Sequence, residues 1–200
     1  MKYETISSLQ NPLVKKVVEL KASKRFREKE GLTLVEGKNL LIDLLTWKSA
    51  TILFVTEENL HEAGHCEKLY LVTSDVMRKM STVETPEGML ALFPIQEGSK
   101  KLLERSLLIL DGLQDPGNVG TLLRTASSFG VRQCVAIHPC CDLWHPKVMR
   151  SSKGAHYFFT SLYSTTWEKF LPLLEENQFS LLVATLKGVP IDALVIPPKW

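Results

Sequence analysis

The sequence lacks the features that mark secreted and membrane proteins. It contains four cysteines in 200 residues, at irregular spacing, which is not typical of a disulfide framework and fits a reducing compartment. No run of roughly 18 apolar residues occurs, so we expect no transmembrane helix. The N-terminal segment has no signal-peptide core, because Asn11, Pro12 and several lysines interrupt it. We therefore predict a cytoplasmic protein without a membrane partner.

Signatures of several enzyme classes are also absent. The sequence has no glycine-rich P-loop, no G-x-S-x-G motif, no dinucleotide fingerprint and no paired-carboxylate signal. Residues of the types that bind zinc do occur close together, at Cys134, His138, Cys140, Cys141 and His145. They lack the regular paired spacing of structural zinc sites. We therefore predict no metal site and place these residues in a strand and a loop.

The charge is nearly balanced overall but unevenly distributed. The net charge is only +2, whereas seven cations and two anions lie between Asn11 and Lys29. Such a basic segment favours a polyanionic partner on one face of the protein. A solvated helix face explains the charge equally well, and charge alone does not decide between the two.

Hydrophobic patterns divide the chain into two α/β units. Strand and helix patterns alternate over residues 1–95 and predict a small α/β domain with a largely parallel sheet. The polar residues 96–105 predict a linker, and residues 106–200 predict a second α/β domain. We expect its elements to be strand 106–112, helix 119–129, strand 133–139, a short helix with an aromatic strand within 146–160, helix 164–177 and strand 180–188.

Residues 110–130, LDGLQDPGNVGTLLRTASSFG, form the most informative stretch. On a helical wheel, Leu122, Leu123 and Ala126 lie within about 60° of Val119 and predict one buried stripe. Arg124 lies about 140° from Val119, so we expect it to face solvent or a ligand. Asn118 stands where a side chain caps the first turn, and Gly130 where the helix ends. Spacing alone favours a capped turn with an ordinary exposed arginine over a phosphate site.

A second stretch, residues 148–156, carries a Ser/Gly turn. Arg150 precedes this turn and Lys153 lies within it. Backbone amides of such a turn can bind a phosphate. A simple loop between two elements is the better interpretation of this stretch taken alone.

Both stretches resemble segments of one family, the SpoU-type RNA ribose 2′-O-methyltransferases of the SPOUT superfamily. The family's D-P-x-N-x-G-x-x-x-R-T core is met by Asp115, Pro116, Asn118, Gly120, Arg124 and Thr125, and its Arg-x-Ser-x-Gly-Ala segment by Arg150, Ser152, Gly154 and Ala155. SSLQNPLVKKVVELK, LTLVEG and TPEGMLAL resemble the substrate-binding domain often fused ahead of the catalytic one.

The resemblance implies transfer of a methyl group from S-adenosylmethionine to a ribose 2′-OH in ribosomal or transfer RNA. It implies a homodimer with a C-terminal trefoil knot, and it places Asn118 and Arg124 at the site of methylation. We expect Arg124 to act either as a base or as an electrostatic stabiliser; a guanidinium has no free lone pair to accept a proton, which makes it a poor base. Expected RNA contacts are Lys15, Lys16, Lys24, Arg25, Arg27, Arg150, Ser152 and Lys153.

Two segments of the family pattern are not found. The Gly-x-Glu-Gly segment and the following Asn-containing segment, which form the knot and most of the cofactor pocket in the family, do not occur before Trp200. We therefore expect a SPOUT-like methyltransferase domain that is truncated before its knot, with cofactor-binding residues beyond Trp200. The alternative is an RNA-binding fragment or module without catalytic activity.

Overall fold

The computed structural model describes residues 2–96, 98–99, 101–102 and 104–200, so the predicted linker lies partly outside the described residues. The strands are β1 (Glu4–Ile6), β2 (Leu32–Glu36), β3 (Ala50–Val55), β4 (Cys66–Val72), β5 (Met89–Pro94), β6 (Leu108–Asp111), β7 (Gln133–Ile137) and β8 (Ser161–Thr165). The helices are α1 (Pro12–Ala22), α2 (Lys24–Glu30), α3 (Lys38–Leu45), α4 (Ser74–Met80), α5 (Pro116–Ser128), α6 (Pro146–Ser151) and α7 (Trp167–Glu176). Short 3-10 turns span Glu57–Glu62, Ala155–Phe158 and Ile191–Ala193.

The first sheet is mixed rather than largely parallel. Its strand order is β1-β4-β3-β5-β2, with β1 and β3 parallel to β4, and β5 antiparallel to both β3 and β2. The chain enters β5 beside the end of β3, where the amide of Thr56 donates to the carbonyl of Gly88 at 3.0 Å. Because β5 starts where β3 stops, it runs in the opposite direction. The pattern analysis also misses β1, which has only three residues.

The second sheet is parallel throughout, as predicted, in the order β6-β7-β8. All five residues of the central strand β7 are buried. Cys134 and Ala136 pack into the cluster that contains the buried residues of α5 and α6, whereas Val135 and Ile137 pack with Phe170 of α7 on the opposite face. This alternation is the two-residue period of a strand covered on both sides.

Two predicted strands are not formed. Tyr157 and Phe158 lie in the 3-10 turn, Phe159 follows it, and β8 begins only at Ser161. Gly154, with φ +74°, turns the chain at that point, and His156 is fully buried and bonds to polar groups. Residues 180–188 form no strand. They are all exposed, so no neighbouring strand or core fixes an extended conformation.

The two sheets share one hydrophobic core. Its buried residues come from β3, β5 and α3 of the first sheet's unit and from β6, β7, α5 and α6 of the second. Polar contacts cross the same boundary: Thr33 Oγ1 donates to the Trp144 carbonyl at 2.8 Å, and Tyr157 Oη donates to the Pro94 carbonyl at 3.2 Å. The core and these bonds fix the two units against each other. In the described part of the chain, every helix is too short or too polar to cross a membrane.

Candidate functional site

Helix α5 begins earlier than its periodicity predicts. Asp115 is the N-cap, because its Oδ1 accepts a hydrogen bond from the amide of Asn118 at 2.7 Å. Pro116 occupies the first helical position, where its missing N–H costs nothing. The prediction that Asn118 caps the helix is therefore wrong: Asn118 lies in the first turn and its side chain is left for other contacts. The predicted stop is confirmed, since Gly130 has φ +82° directly after the C-cap.

The buried face of α5 is rotated from the predicted stripe. Val119, Gly120 and Leu123 are buried, whereas Leu122 is 40% exposed. The cause is a close crossing with α6, where a Cβ at position 120 would overlap the Ser151 hydroxyl and come within 2.7 Å of the Ser152 amide. Only glycine allows this approach, and the crossing turns the helix so that Leu122 leaves the core.

The opposite side of α5 is polar and open. Asn118, Thr121, Arg124 and Thr125 are all exposed, and the predicted exposure of Arg124 is confirmed. Within the described part of the chain, the guanidinium of Arg124 makes no hydrogen bond or ion pair. An exposed amide and an uncommitted guanidinium therefore share one helix surface, where both can bind an oxygen-rich ligand.

This helix starts at the carboxyl edge of the parallel sheet. The loop after β6 is tied to the loop after β7: Gln114 Nε2 donates to the Pro139 carbonyl at 2.7 Å, and the Cys141 amide donates to the Leu113 carbonyl at 2.8 Å. Trp167 Nε1 donates to Asp111 Oδ1 at 3.1 Å and fixes the end of β6. Ligands of open parallel sheets bind at this edge, so α5 starts at the edge where such ligands bind and presents its polar side to solvent there.

The cysteines near this edge are not activated. Burial raises the pKa of the Cys141 thiol to about 11, and burial likewise raises the pKa of Cys140. Both remain protonated at neutral pH, in the form that is neither a good nucleophile nor a good metal ligand. No cluster of three or more metal-ligating side chains occurs among the described residues.

The segment 148–156 is more buried than predicted. Ser152 is 1% exposed, and its hydroxyl bonds to the Met149 carbonyl and to Nδ1 of His156. The prediction that Ser152 contacts RNA is corrected, because no external ligand reaches this side chain. Arg150 Nη1 donates to Thr82 Oγ1 at 3.1 Å across the unit boundary, and Lys153 is exposed.

His156 fixes this segment from inside. Its Nε2 lies 2.6 Å from the Leu143 carbonyl and its Nδ1 lies 2.9 Å from Ser152 Oγ. Burial lowers the pKa of His156 to about 4, although the bond to the Leu143 carbonyl acts in the opposite direction. The ring is therefore neutral at pH 7, donates from Nε2 and holds the loop after β7 against α6.

The basic N-terminal segment divides into exposed and committed cations. Lys15 and Arg25 are exposed. Lys16 and Lys24 form ion pairs, at 2.5 Å with Glu30 and 3.7 Å with Glu28. Solvent-accessible pairs of this kind are weak, so both lysines remain able to exchange partners.

Arg27 has a different role from the one predicted. It is 2% exposed, its Nη1 donates to the Leu20 carbonyl at 2.6 Å, and its Nη2 pairs with Asp142 at 2.5 Å. Asp142 lies in the loop after β7. The prediction of an RNA contact is corrected here, because the guanidinium is enclosed between the two units.

Sequence reasoning misses two contacts that fix the structure around the site. The cap at Asp115 carries a usable signal, since an Asp followed directly by Pro is typical of a helix start. The partnership of Arg27 with Asp142 carries none, because 115 residues separate the two.

Comparisons with known proteins agree with this arrangement. A sequence model of the SpoU rRNA methylase family matches residues 105–200, and a model of the MRM3-like substrate-binding domain matches residues 11–91. The chain is 33% identical to an uncharacterised tRNA/rRNA methyltransferase of Synechocystis, covering 91% of this chain and 70% of that protein. It is 28% identical to the 23S rRNA (guanosine(2553)-2′-O)-methyltransferase of Bacillus subtilis, covering 96% and 86% of the two chains.

Longer relatives and solved structures extend the likeness. The chain is 31% identical to mitochondrial rRNA methyltransferase 3A of Danio rerio over 78% of its own length, but it spans only 39% of that relative. A TrmH-family RNA methyltransferase structure from Porphyromonas gingivalis superposes with a TM-score of 0.80 at 28% identity, covering 95% of this chain and 77% of that one. An S-adenosylmethionine-bound rRNA methyltransferase from Sinorhizobium meliloti has a TM-score of 0.69 at 22% identity, covering 86% and 69%, and supports the fold alone.

Taken together, the parallel sheet, the glycine-packed helix α5 and the fused unit with its basic N-terminal helices match the fold of the TrmH-family RNA methyltransferase structure. The chain belongs to the SpoU rRNA methylase family.

Proposed function

We propose that the protein methylates a ribose 2′-OH in ribosomal or transfer RNA, and that this chain supplies its RNA-binding surface and the α5 wall of its active site. The observation that carries the proposal is the open polar side of α5, where Asn118 and Arg124 are both exposed beside the carboxyl edge of the sheet. Membership of the SpoU family and the 2′-O activity named for the Bacillus relative support the same chemistry.

The chemistry assigns separate roles to the two α5 side chains. A ribose 2′-OH has to lose its proton to react, and the guanidinium of Arg124 carries no lone pair that would accept it at neutral pH. In our proposal Arg124 stabilises the developing alkoxide and orients the adjacent phosphate, as fixed cations do in transition states. The Asn118 amide both donates and accepts, so it suits the neighbouring ribose oxygens.

The methyl donor raises a separate question. S-adenosylmethionine supplies the methyl group when it is bound, and ligands of its size need a largely enclosed pocket of several hundred Å³. In the described residues, α5 presents an open surface, and the residues 181–190 are exposed. These two surfaces do not enclose the cofactor by themselves, so we propose that this chain alone binds it weakly or not at all.

The proposed RNA path follows the exposed cations. Lys15 and Arg25 lie open on α1 and α2, and Lys153 is exposed beside α6. We also propose that Lys16, Lys24 and Arg150 contact RNA. Their present partners are Glu30, Glu28 and Thr82, which RNA phosphates can replace. We also propose that the protein forms a homodimer and is located in the cytoplasm.

A second function, an RNA-binding module without catalysis, is favoured by the same open α5 surface. One assay separates the two. The protein expressed from its complete natural reading frame (the product of the natural coding frame) is incubated with labelled S-adenosylmethionine. The RNA substrates are unmodified 16S, 23S and transfer RNA transcripts, and the Bacillus relative is the positive control. We expect label in alkali-resistant dinucleotides, which report 2′-O-methylation. If the protein binds RNA but no transcript is labelled, the proposed methyltransferase activity is contradicted and the RNA-binding module is supported.

A further inference from the structure

A pair of exposed aromatic rings lies where the two units meet. Trp47 follows helix α3 and Phe158 ends the 3-10 turn 155–158. Their ring centroids are 4.9 Å apart with an interplanar angle of 32°. Trp47 is nevertheless 49% exposed and Phe158 46% exposed. Two large rings that contact each other and still face solvent form a surface suited to a further flat group.

Two cations flank this pair. The guanidinium carbon of Arg132 lies 6.0 Å from the centroid of Phe158, and its Nη1 donates to the Phe158 carbonyl at 3.5 Å. The Lys48 ammonium lies 4.4 Å above the ring of the neighbouring Tyr157. Each cation is held over an aromatic face rather than by a carboxylate. The surface is therefore positively charged and aromatic at once.

The surface is held rigidly and lies against the helix that carries the candidate site. Gly154 lies so close to Leu40 and Leu44 of α3 that a Cβ there would touch both at 3.5 Å. The 155–158 turn also packs against α5. The rings are thus fixed between the helix that carries Arg124 and the unit that carries the basic helices.

From these contacts we propose that Trp47 and Phe158 form a stacking platform for an unpaired base of the RNA substrate, with Lys48 and Arg132 neutralising the flanking phosphates. Single-stranded nucleic acid is the partner whose chemistry matches, because every base has a π-face and every nucleotide carries a negative charge. An apolar protein surface would leave both cations without a counter-charge. The inference rests on the proposed function, which makes RNA the substrate class, and adds where an unpaired nucleotide binds.

The experiment compares two RNA oligomers of equal charge. A labelled 12-mer of adenosine and an abasic 12-mer are titrated by fluorescence anisotropy against the whole chain and against Trp47→Ala, Trp47→Phe and Tyr3→Ala. Tyr3 is a matched control, since it is 48% exposed and lies before β1, at the far edge of the first sheet from β2. Thermal melting confirms that each variant is folded.

We expect Trp47→Ala to weaken binding of the adenosine oligomer about tenfold or more, while its affinity for the abasic oligomer changes less than twofold. Trp47→Phe should keep most of the affinity, and Tyr3→Ala all of it. Equal losses for both oligomers, or no loss for either, would overturn the platform while leaving the proposed function intact. A folded chain that binds neither oligomer would count against the proposed RNA function as well. A dimer that becomes monomeric on Trp47→Ala would overturn the platform in favour of a contact between two copies.

Discussion

Arg27 and Arg124 are the same residue type and are both predicted from the sequence as contributors to an RNA site, yet they lie in opposite environments. Arg27 is enclosed between α2 and the loop after β7, where the Leu20 carbonyl accepts from its Nη1 and Asp142 pairs with its Nη2. Arg124 lies on the open side of α5 without a described partner. The comparison separates an arginine that holds the scaffold together from one that is left free for a ligand.

The environments follow from what surrounds each helix. Helix α2 is short and packs on α1 and β2, and its Arg27 side chain reaches the Asp142 carboxylate of the second unit. Helix α5 packs through Val119, Gly120 and Leu123, and the side opposite these residues meets only solvent. A guanidinium without a protein partner is left able to bind an anionic ligand such as a phosphate.

The largest expected effect comes from breaking the buried pair. Arg27→Met should lower the free energy of unfolding by about 3–5 kcal/mol, because it leaves the Asp142 carboxylate enclosed without its partner. Urea denaturation measures this loss. Arg25→Met is the matched control, since Arg25 is exposed two residues away, and it should change stability by no more than about 0.5 kcal/mol. Equal effects from both variants would remove the distinction.

Replacing Arg124 should have the opposite effect: the methylation rate should fall while the free energy of unfolding stays the same. Arg124→Ala in the product of the natural coding frame should lower kcat for ribose methylation by about 10²–10³-fold, the usual cost of losing one fixed donor to a transition-state charge. Its unfolding free energy should stay within about 0.5 kcal/mol of wild type. Rapid-quench methylation assays and denaturation curves test the two halves separately. Arg78→Ala, an exposed arginine of α4, should leave the rate unchanged, and a similar loss there would contradict the assignment.

Substitution of Gly120 tests whether the close crossing of α5 and α6 sets which side of α5 is exposed. Gly120→Ala should destabilise the protein by about 1–3 kcal/mol, the usual cost of overpacking, because the added methyl overlaps the Ser151 hydroxyl and crowds the Ser152 amide. Gly130→Ala is a useful comparison: nothing lies near its missing Cβ, and only its positive φ of +82° opposes the change. A stable Gly120→Ala variant would contradict the close helix crossing.

The pH dependence of stability gives the smallest effect. The ordinary pKa of histidine is 6.5, and burial lowers that of His156 to about 4 in the folded protein. Between these values the unfolded chain binds a proton that the folded chain does not, so stability is full above about pH 6.5 and falls as the pH drops towards 4. The loss between pH 7 and 5 should be about 1–2 kcal/mol. His156→Gln should make the free energy of unfolding less dependent on pH in this range, apart from a constant loss of stability caused by the substitution. His61→Gln, on the surface, should leave the pH dependence unchanged.

Local patterns predict the central features of the site. The strand β6, the helix α5, its stop at Gly130 and the exposure of Arg124 all follow from periodicity and end signals within a stretch of about twenty residues. The motif resemblance then selects Arg124 from the other exposed arginines. The roles of Asn118 and Arg124 in methylation, and the domain boundaries at residues 96–105, stay predictions.

The features that local patterns do not predict depend on distant partners. Arg27 finds Asp142 from far along the chain, and Ser152 lies where α5 crosses α6 at Gly120. Leu122 leaves the predicted stripe because α6 crosses at Gly120. The direction of β5 is likewise set by where the preceding loop meets β3. Each of these is a tertiary contact that overrides a correct local pattern.

The most direct test of the account is the methylation rate at saturating RNA. The product of the natural coding frame is compared as wild type, as Arg124→Ala and as the double variant Lys15→Ala/Arg25→Ala, with S-adenosylmethionine and RNA both raised to saturation. The account predicts that saturation restores the rate of the double variant, because its cations only hold RNA, and that Arg124→Ala remains about 10²-fold or more slower. Full restoration of the Arg124→Ala rate at high RNA would contradict the placement of Arg124 at the reacting ribose.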